Sequence, residues 1–523
     1  MSAVAPAAPG TQRSTSRAAA VALEGLSGRI VEIEAALTNQ TPGLRLVGLP
    51  DTALREAQAR VRSAVEHSGF EMPGRHLTVN LSPAAVPKHG SGFDLGIAMA
   101  VLGTTGDVDP EAIGDAVFIG ELGLDGRLRP VPGVLPAVRA AVRAGRTRVV
   151  VPTASEAEAS LVDGIEVVAV PSLRTLAIRY GAELEPVEVD PVAAPPVRRE
   201  RVLHADLADV VGNAEGVEAL VVAAAGGHHL LMVGPPGAGK TMLATRLPGL
   251  LPDLQGDAAL DATSIASLAG HGVDRMRTRP PWQAPHHSAS AAAIIGGGSG
   301  RIRPGAATRA SGGVLFLDEA PEFARSVLDS LREPLESGRV SVHRATARAE
   351  FPARFQLVLA ANPCPCGQLG SIDQVCVCPP ATAAKYLARL SGPLLDRIDI
   401  RLRIDRVTAA QLRIARDGLS PGTTTAEARE RVLEARDRAA RRLRGTPWRI
   451  NSEVPGSWLR HPDRAPGDGA GAPLERAFES GLLTLRGHDR VLRLAWTLAD
   501  LAGIDRPGRT EVGRALVLRS PDE

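Results

Sequence analysis

His229-Leu-Leu-Met-Val-Gly-Pro-Pro-Gly-Ala-Gly-Lys-Thr241 is the stretch that decides the fold. Leu230 to Val233 is an apolar run of buried-strand length, and it delivers the chain into Gly234-x-x-x-x-Gly239-Lys240-Thr241. That spacing is a phosphate-binding loop. Gly234, Gly237 and Gly239 let backbone N–H groups close around an anion where a Cβ would clash or bar a positive φ. The expected cradle is the whole run Gly234, Pro235, Pro236, Gly237, Ala238, Gly239, Lys240, Thr241 and Met242. Lys240 reaches β/γ-phosphates as a mobile point charge, and the Thr241 hydroxyl suits Mg²⁺. A helix over about 241–250 points its positive dipole end at the anion. The stretch predicts binding of a nucleoside triphosphate.

Outward from this loop, strands and helices alternate. Gly212–Ala225 reads as a helix; beyond the loop, a Gly/Ser/Pro-punctuated stretch, 270–312, leads to the strand Val314–Leu317. A helix over 322–336, a strand over 355–360 and a helix over 381–390 follow. This alternation predicts a parallel sheet. After about 405 strands fade, and 407–440, 474–480 and 488–502 read as helices around a Gly/Pro/Asp loop at 461–472. Toward the N-terminus, residues 1–20 lack apolar periodicity and read as disordered. Strands over Arg29–Ala35, His76–Leu81, Ala116–Leu122 and Arg148–Val151 mix with helices over Ala53–Ser68, Leu95–Leu102 and 134–144. Residues 183–200 form a Pro-rich, charged linker. The expected organisation is a disordered 1–20, an α+β domain over 21–182, the linker 183–200, an α/β core over 201–405 and a helical lid over 406–523.

At 523 residues the chain exceeds what one core can hold. A hydrophobic content of 44% and a charged content of 23% are ordinary for a soluble globular protein. Net charge of +2 excludes a globally basic nucleic-acid coat, so such binding needs a local patch. No stretch approaches the length of a membrane span, and Met1 to Arg17 lacks the layout of a signal peptide, so a cytoplasmic location is expected. The four cysteines all lie between 364 and 378, which leaves no disulfide framework across the fold.

A second nucleotide signature is Gly312-Gly-Val-Leu-Phe-Leu-Asp-Glu-Ala, a buried strand ending in two carboxylates. Asp318 suits Mg²⁺, and Glu319 suits the polarising of an attacking water. The strand Phe355-Gln-Leu-Val-Leu-Ala-Ala ends in Asn362, an amide able to orient that water or simply a turn former before Pro363. Arg397, in Leu394-Leu-Asp-Arg-Ile-Asp, is a γ-phosphate ligand for a neighbouring subunit or a surface ion pair with Asp396 or Asp399. Cys364-x-Cys366-x₉-Cys376-x-Cys378 offers a tetrahedral four-sulfur Zn²⁺ site, with Gly367, Gly370 and Asp373 permitting the turn; a labile disulfide and unligated thiols are the other readings. Arg301, Arg303, Arg344 and Arg348 read as exposed loop arginines suited to phosphates or to solvent, and no aromatics interleave them for base stacking. His286-His287 reads as a loop contact to DNA or to another subunit, because adjacent side chains rarely converge on one metal ion.

Gly-Pro-Pro-Gly-Ala-Gly-Lys-Thr, Pro285-His-His-Ser-Ala-Ser, Gly-Val-Leu-Phe-Leu-Asp-Glu, Ala361-Asn-Pro-Cys-Pro-Cys-Gly, Leu390-Ser-Gly-Pro-Leu-Leu-Asp-Arg-Ile-Asp and Arg490-Val-Leu-Arg-Leu-Ala together resemble the ComM/YifB family of magnesium-chelatase-like AAA+ ATPases. The likeness spans roughly 20–515. It implies ATP with Mg²⁺, sensor 1 at Asn362, an arginine finger at Arg397, sensor 2 at Arg486, and a homo-hexamer moving single-stranded or branched DNA. Gln283 departs from the Arg that relatives often carry before Ala-Pro-His-His.

In the N-terminal region, Pro87-Lys-His-Gly-Ser-Gly-Phe-Asp-Leu-Gly-Ile-Ala-Met and Gly120-Glu-Leu-Gly-Leu-Asp-Gly-Arg-Leu-Arg-Pro-Val-Pro-Gly resemble the Lon-protease catalytic fold, the second domain of ribosomal S5 type. Registering the motifs puts Asp94 at the Lon serine and Leu135 at the Lon lysine. A Ser–Lys dyad needs a nucleophile and an amine base, and both are missing, so a non-proteolytic domain is expected. Three functions compete: a DNA motor, a chelatase-like ATPase remodelling a protein partner, and an active Lon-type peptidase, which Asp94 and Leu135 oppose. Metal insertion itself is disfavoured because no integrin-like Asp-x-Ser-x-Ser site is present.

Overall fold

The computed structural model describes residues 15–48, 51–197, 205–298, 302–344, 348–370, 375–417, 422–467 and 469–520. Arg301 and Asp373 lie outside the described residues.

Two sheets organise the chain. The N-terminal one has seven strands in the order Gly43–Val47, His76–Ser82, Ser27–Thr38, Thr15–Glu24, Ala116–Phe118, Arg148–Pro152, Glu166–Val170. Thr15–Glu24 and Ser27–Thr38 form an antiparallel hairpin, with Thr15 opposite Ala36 and Glu24 opposite Ser27. The disordered reading of residues 1–20 is therefore corrected from Thr15 onward. Ala18, Ala20 and Ala22 enter one apolar cluster while Ala19, Val21 and Leu23 enter the other. A strand buried on both faces shows no apolar–polar alternation, which hid it in the sequence. The helix Asp94–Thr105 is buried along nearly its whole length against this sheet.

The second sheet is parallel throughout, with the order Trp282–Gln283, Val314–Leu317, Gln356–Ala361, Leu230–Val233, Ile400–Arg403. Period-2 patterning divides each strand between two cores. Leu230, Met232, Val314, Phe316 and Val358 face one; Leu231, Leu315, Leu317, Leu357 and Leu359 face the other. The first core runs on into the C-terminal helices Thr425–Arg442, Leu485–Ala502 and Arg509–Arg519, through Val432, Val491, Leu494 and Val512. These helices and the sheet thus share one apolar interior. The helix Leu485–Ala502 begins three residues before the expected 488–502 and ends with it, and Arg509–Arg519 was not anticipated.

A further unanticipated helix, Gly256–Leu268, is where the N-terminal domain docks. Arg139 donates to Asp261 at 2.9 Å, and Glu158 accepts from Ser267. The turn of the N-terminal hairpin presses on the antiparallel pair Arg339–His343 and Arg348–Pro352, where a Cβ on Gly25 would collide with the Glu350 carbonyl. Among the described residues, no helix is long and apolar enough to cross a membrane.

Candidate functional site

All five core strands run the same way, so the loops leaving their C-terminal ends gather at one sheet edge. Gly234–Gly239 follows Val233, Asp318 follows Leu317, and Asn362 follows Ala361. Each glycine of the first loop has its own reason. Gly237 and Gly239 take φ of 78° and 94°. Gly234 is needed for space instead, because a Cβ there would strike the Ile404 carbonyl. Met242 follows in the helix Lys240–Ala244, its terminal methyl close over Gly239.

Lys240 is 8% exposed, and its Nζ donates to the carbonyls of Gly234 (2.6 Å) and Pro235 (3.0 Å) and to Asn362 Oδ1 (3.1 Å). Burial lowers its pKa, against the pull of Asp318 and Glu319. Thr241 Oγ1 donates to Asp318 Oδ2 at 2.7 Å. A hydroxyl and a carboxylate converging in this way form a hard-oxygen donor set that fits Mg²⁺. Glu319 is held beside them in the left-handed region, φ 50° and ψ 45°, the one non-glycine with positive φ among the described residues. That conformation costs a non-glycine about 1–3 kcal/mol and persists only where the surrounding structure imposes it. His287 Nδ1 lies 3.2 Å from Glu319 Oε2. The structure thus brings together Lys240, Thr241, Asp318, Glu319 and Asn362.

Arg397 and Arg486 are placed elsewhere. Arg397 pairs with Glu336 and donates to the Pro393 carbonyl at 2.6 Å, while its Nε is buried with no partner. It precedes the strand Ile400–Arg403, whose N-terminal end is marked by Asp399 N–H donating to the His229 carbonyl at 3.1 Å. That is the end of the sheet opposite to the P-loop. Arg486 is exposed in the first turn of Leu485–Ala502, and Arg490, one turn on, grips Asp399 at that same end.

The four thiols converge. Their sulfurs lie within 4.8 Å of one another, with Cys364–Cys366 at 3.4 Å and both Cys364–Cys376 and Cys366–Cys376 at 3.7 Å. All four are free of disulfides, and Cys364 is fully buried. With Zn–S bonds of about 2.3 Å, the sulfurs of a tetrahedron stand about 3.8 Å apart, so the donor set fits zinc. The backbone N–H groups of Gln368 and Val377 help to hold the Cys366 thiol down to about 6. This loop leans on the nucleotide loop: Gly367 takes φ 77°, and a Cβ there would run into the Pro236 ring.

The Lon-like site is filled by structural contacts. Asp94, 1% exposed, accepts from Arg60 Nε at 2.6 Å and from Leu122 N–H at 3.4 Å. Burial nonetheless lifts it to about 6 against the pull of Arg60. Leu135 is fully buried, Ser91 bonds Glu121, and Lys88 donates to the Pro83 and Val86 carbonyls at 2.7 and 3.1 Å.

Sequence reasoning missed the His287–Glu319 and Lys240–Asn362 contacts. The first depends on Trp282–Gln283 pairing in parallel with Val314–Leu315, a two-residue strand hidden in a Gly/Ser/Pro-rich stretch. The only available signal was Pro285-His-His-Ser itself.

Three families match the chain: magnesium chelatase, subunit ChlI, over residues 206–412; subunit ChlI of Mg-chelatase over 33–155; and the subunit ChlI C-terminal family over 422–519. An uncharacterised protein of Mycobacterium bovis is 50% identical over 96% of this chain and 98% of its own length. The competence protein ComM of Haemophilus influenzae is 39% identical over 95% of this chain and 96% of its own length. The Lon protease of Mycolicibacterium smegmatis is 30% identical over 34% of this chain and 24% of its own length.

Proposed function

Because this chain belongs to the ComM/YifB family of magnesium-chelatase-like AAA+ proteins, we propose that it is a cytoplasmic ATP-hydrolysing motor that works as a homo-hexameric ring on single-stranded or branched DNA. The observation that carries the ATPase reading is the meeting of Lys240, Thr241, Asp318, Glu319 and Asn362 at one sheet edge. Thr241 and Asp318 would hold Mg²⁺, which supplies charge neutralisation to the phosphates. Lys240 binds the phosphates, Glu319 takes up the proton of the attacking water, and Asn362 orients that water. Arg397, at the opposite end of the sheet from its own P-loop, serves a neighbour's site, and Arg486 serves as sensor 2.

DNA is the preferred partner because exposed arginines cluster on adjoining loops. Arg303, Arg344 and Arg348 are exposed, and a Cβ on Gly297 would stand 2.9 Å from the Arg344 guanidinium, so the loops carrying them touch. Such a patch binds phosphodiesters without reading sequence. The name of the competence protein among the relatives suits recombination or DNA uptake. The cysteine cluster holds a structural Zn²⁺ that stiffens the loop after Asn362. The deciding experiment is ATPase activity with and without single-stranded and forked oligonucleotides, together with strand displacement. Stimulation and displacement are expected; a rate indifferent to DNA but raised by a protein partner would replace the motor with a remodelling ATPase.

A further inference from the structure

Val375 and Val377 are 88% and 83% exposed, further out than any other large apolar side chain among the described residues. They alternate with Cys376 and Cys378. Because the cysteines turn inward to the shared thiol cluster, the valines are left outside. The loop that displays them is braced. The exposed Leu369 donates its N–H to Cys364 Sγ at 3.4 Å, and the Gly367 N–H donates to the Cys364 carbonyl at 2.9 Å. An apolar tip held in this way buries nothing in its own chain, so the gain from covering it goes to a partner.

The tip stands at the nucleotide edge of the sheet. Its foot meets the Pro236 ring at Gly367, while Arg403 donates to the Gly370 carbonyl at 3.4 Å and Arg406 to the Pro236 carbonyl at 3.3 Å. A second apolar surface lies at the other end of the same sheet. Phe478, Leu482 and Leu485 are exposed around the turn between the helices Ala472–Glu479 and Leu485–Ala502. The Leu483 N–H closes that turn on the Ala477 carbonyl at 3.1 Å. The Phe478 ring meets His488 edge-on at 5.7 Å, and His488 shares a helix face with Leu485, so the three side chains form one surface. Leu485 lies only about 7.5 Å of helix before Arg490, whose partner Asp399 is close in sequence to Arg397. One apolar surface thus adjoins the P-loop and the other adjoins Arg397. Head-to-tail contact between copies joins unlike surfaces of this kind. Charge suits the rim: Arg403 and Arg406 flank the tip with Asp405 between them, and exposed Glu475 and Glu479 flank the face with Arg476 between them.

We infer that the cysteine loop is a docking prong for a second copy of this chain. Val375 and Val377 of one subunit seat on the Phe478–Leu482–Leu485 face of the next, and the contact carries the neighbour's Arg397 toward the P-loop. This rests on the reading of a ring with shared sites, and it adds the surfaces that close the ring. It also gives the thiol cluster a task in assembly, since the cluster sets the direction of the prong.

The test is sedimentation of the full chain with Mg²⁺ and a non-hydrolysable ATP analogue, for wild type, Val377→Asp, Leu482→Lys and the two combined. Metal content and unfolding midpoint are measured for each, and Val375→Asp replaces Val377→Asp if the latter loses its metal. Each single substitution should raise the subunit dissociation constant by about tenfold or more, the loss of one buried aliphatic side chain. The combined chain, in which a carboxylate meets an ammonium, should return to within about threefold of wild type. Unaltered assembly of either single variant overturns the docking, and a combined chain as weak as the weaker single variant overturns the pairing of these two surfaces. Single variants that assemble normally yet lose oligo-dT stimulation of ATP hydrolysis assign the prong to nucleic acid instead. A wild type that stays monomeric at every concentration overturns the ring itself, so the two failures are distinguishable.

Discussion

Replacing Arg397 and replacing its partner Glu336 should have unequal consequences, and the inequality separates a catalytic guanidinium from a structural ion pair. Glu336 is 58% exposed in its side chain, so the pair is worth at most about 1 kcal/mol. Glu336→Gln should therefore change the ATPase rate by no more than about fivefold, upward if the pair keeps Arg397 from its target. Arg397→Ala removes the pair and the bond to the Pro393 carbonyl, together a stability loss of about 2 kcal/mol or less, and the protein should stay folded. If Arg397 acts on a neighbour's γ-phosphate, its loss should still lower kcat by about 10³–10⁵, which is about 4–7 kcal/mol of barrier. Rates are read by coupled phosphate release at saturating ATP, with unfolding midpoints measured in parallel. A second arm mixes Arg397→Ala with Lys240→Ala, each nearly inactive alone. A ring holding both pairs an intact P-loop with an intact finger and should regain activity. Equal, small effects of Glu336→Gln and Arg397→Ala, or co-assembled mixtures no more active than the sum of their parts, would return Arg397 to an ordinary ion pair.

Other outcomes follow from the same geometry. Glu319→Gln should cut hydrolysis by orders of magnitude while nucleotide affinity persists, whereas Lys240→Ala should weaken binding itself; isothermal titration and turnover assays separate the two. Elemental analysis of freshly reduced protein should find about one zinc per chain, and Cys364→Ser with Cys376→Ser should abolish it and lower the unfolding midpoint; metal-free wild type of unchanged stability would retire the site. Burial lifts Asp94 to about 6 from an ordinary 3.8, so the folded state binds this proton more tightly than the unfolded one. Stability from this site should accordingly fall as pH rises from 4 to 7, by at most about 3 kcal/mol, and Asp94→Asn should flatten that part of the denaturation profile; equal slopes in both proteins would refute it.

What the sequence discloses of this site is governed by where strands end. Leu230–Val233 and Val314–Leu317 read correctly to the residue because a run of four apolar side chains bounded by glycine on one side and a polar residue on the other has few alternatives to a buried strand. The groups following such strands, Lys240, Thr241, Asp318 and Asn362, are then carried to one edge by parallel topology alone. His287 was not legible as a partner of Glu319. Its position depends on a two-residue strand whose only support is the pairing of Trp282 with Val314 and of Gln283 with Leu315. The Ala-rich strand Thr15–Glu24 was lost for another reason: both its faces are buried, so composition resembled disorder. Glu336 was missed as the partner of Arg397 because the two meet only in the folded chain, 61 positions apart, whereas the sequence offered Asp396 and Asp399 close by.

The strand Ile400–Arg403 joins the P-loop to the C-terminal helix Leu485–Ala502. At its C-terminal end the Ile404 carbonyl presses so closely on Gly234 that the first position of the P-loop admits no Cβ. At its N-terminal end Asp399, 1% exposed, is clamped by Arg490 of Leu485–Ala502 and accepts from the His229 N–H at 3.1 Å. Although burial pushes the Asp399 carboxyl upward, Arg490 and His228 hold it well below the ordinary carboxylate range, so this joint is ionic. The same helix reaches His228 through Thr497 (2.7 Å), and Thr497 and Asp500 are both bonded by Asn451, at 3.0 and 2.8 Å. Four residues of strand span only about 13 Å, and neither end has slack. Because the intervening backbone is paired with Leu230–Val233 at every residue, a displacement of the P-loop should be passed along Ile400–Arg403 to Asp399 and from there to the helix Leu485–Ala502.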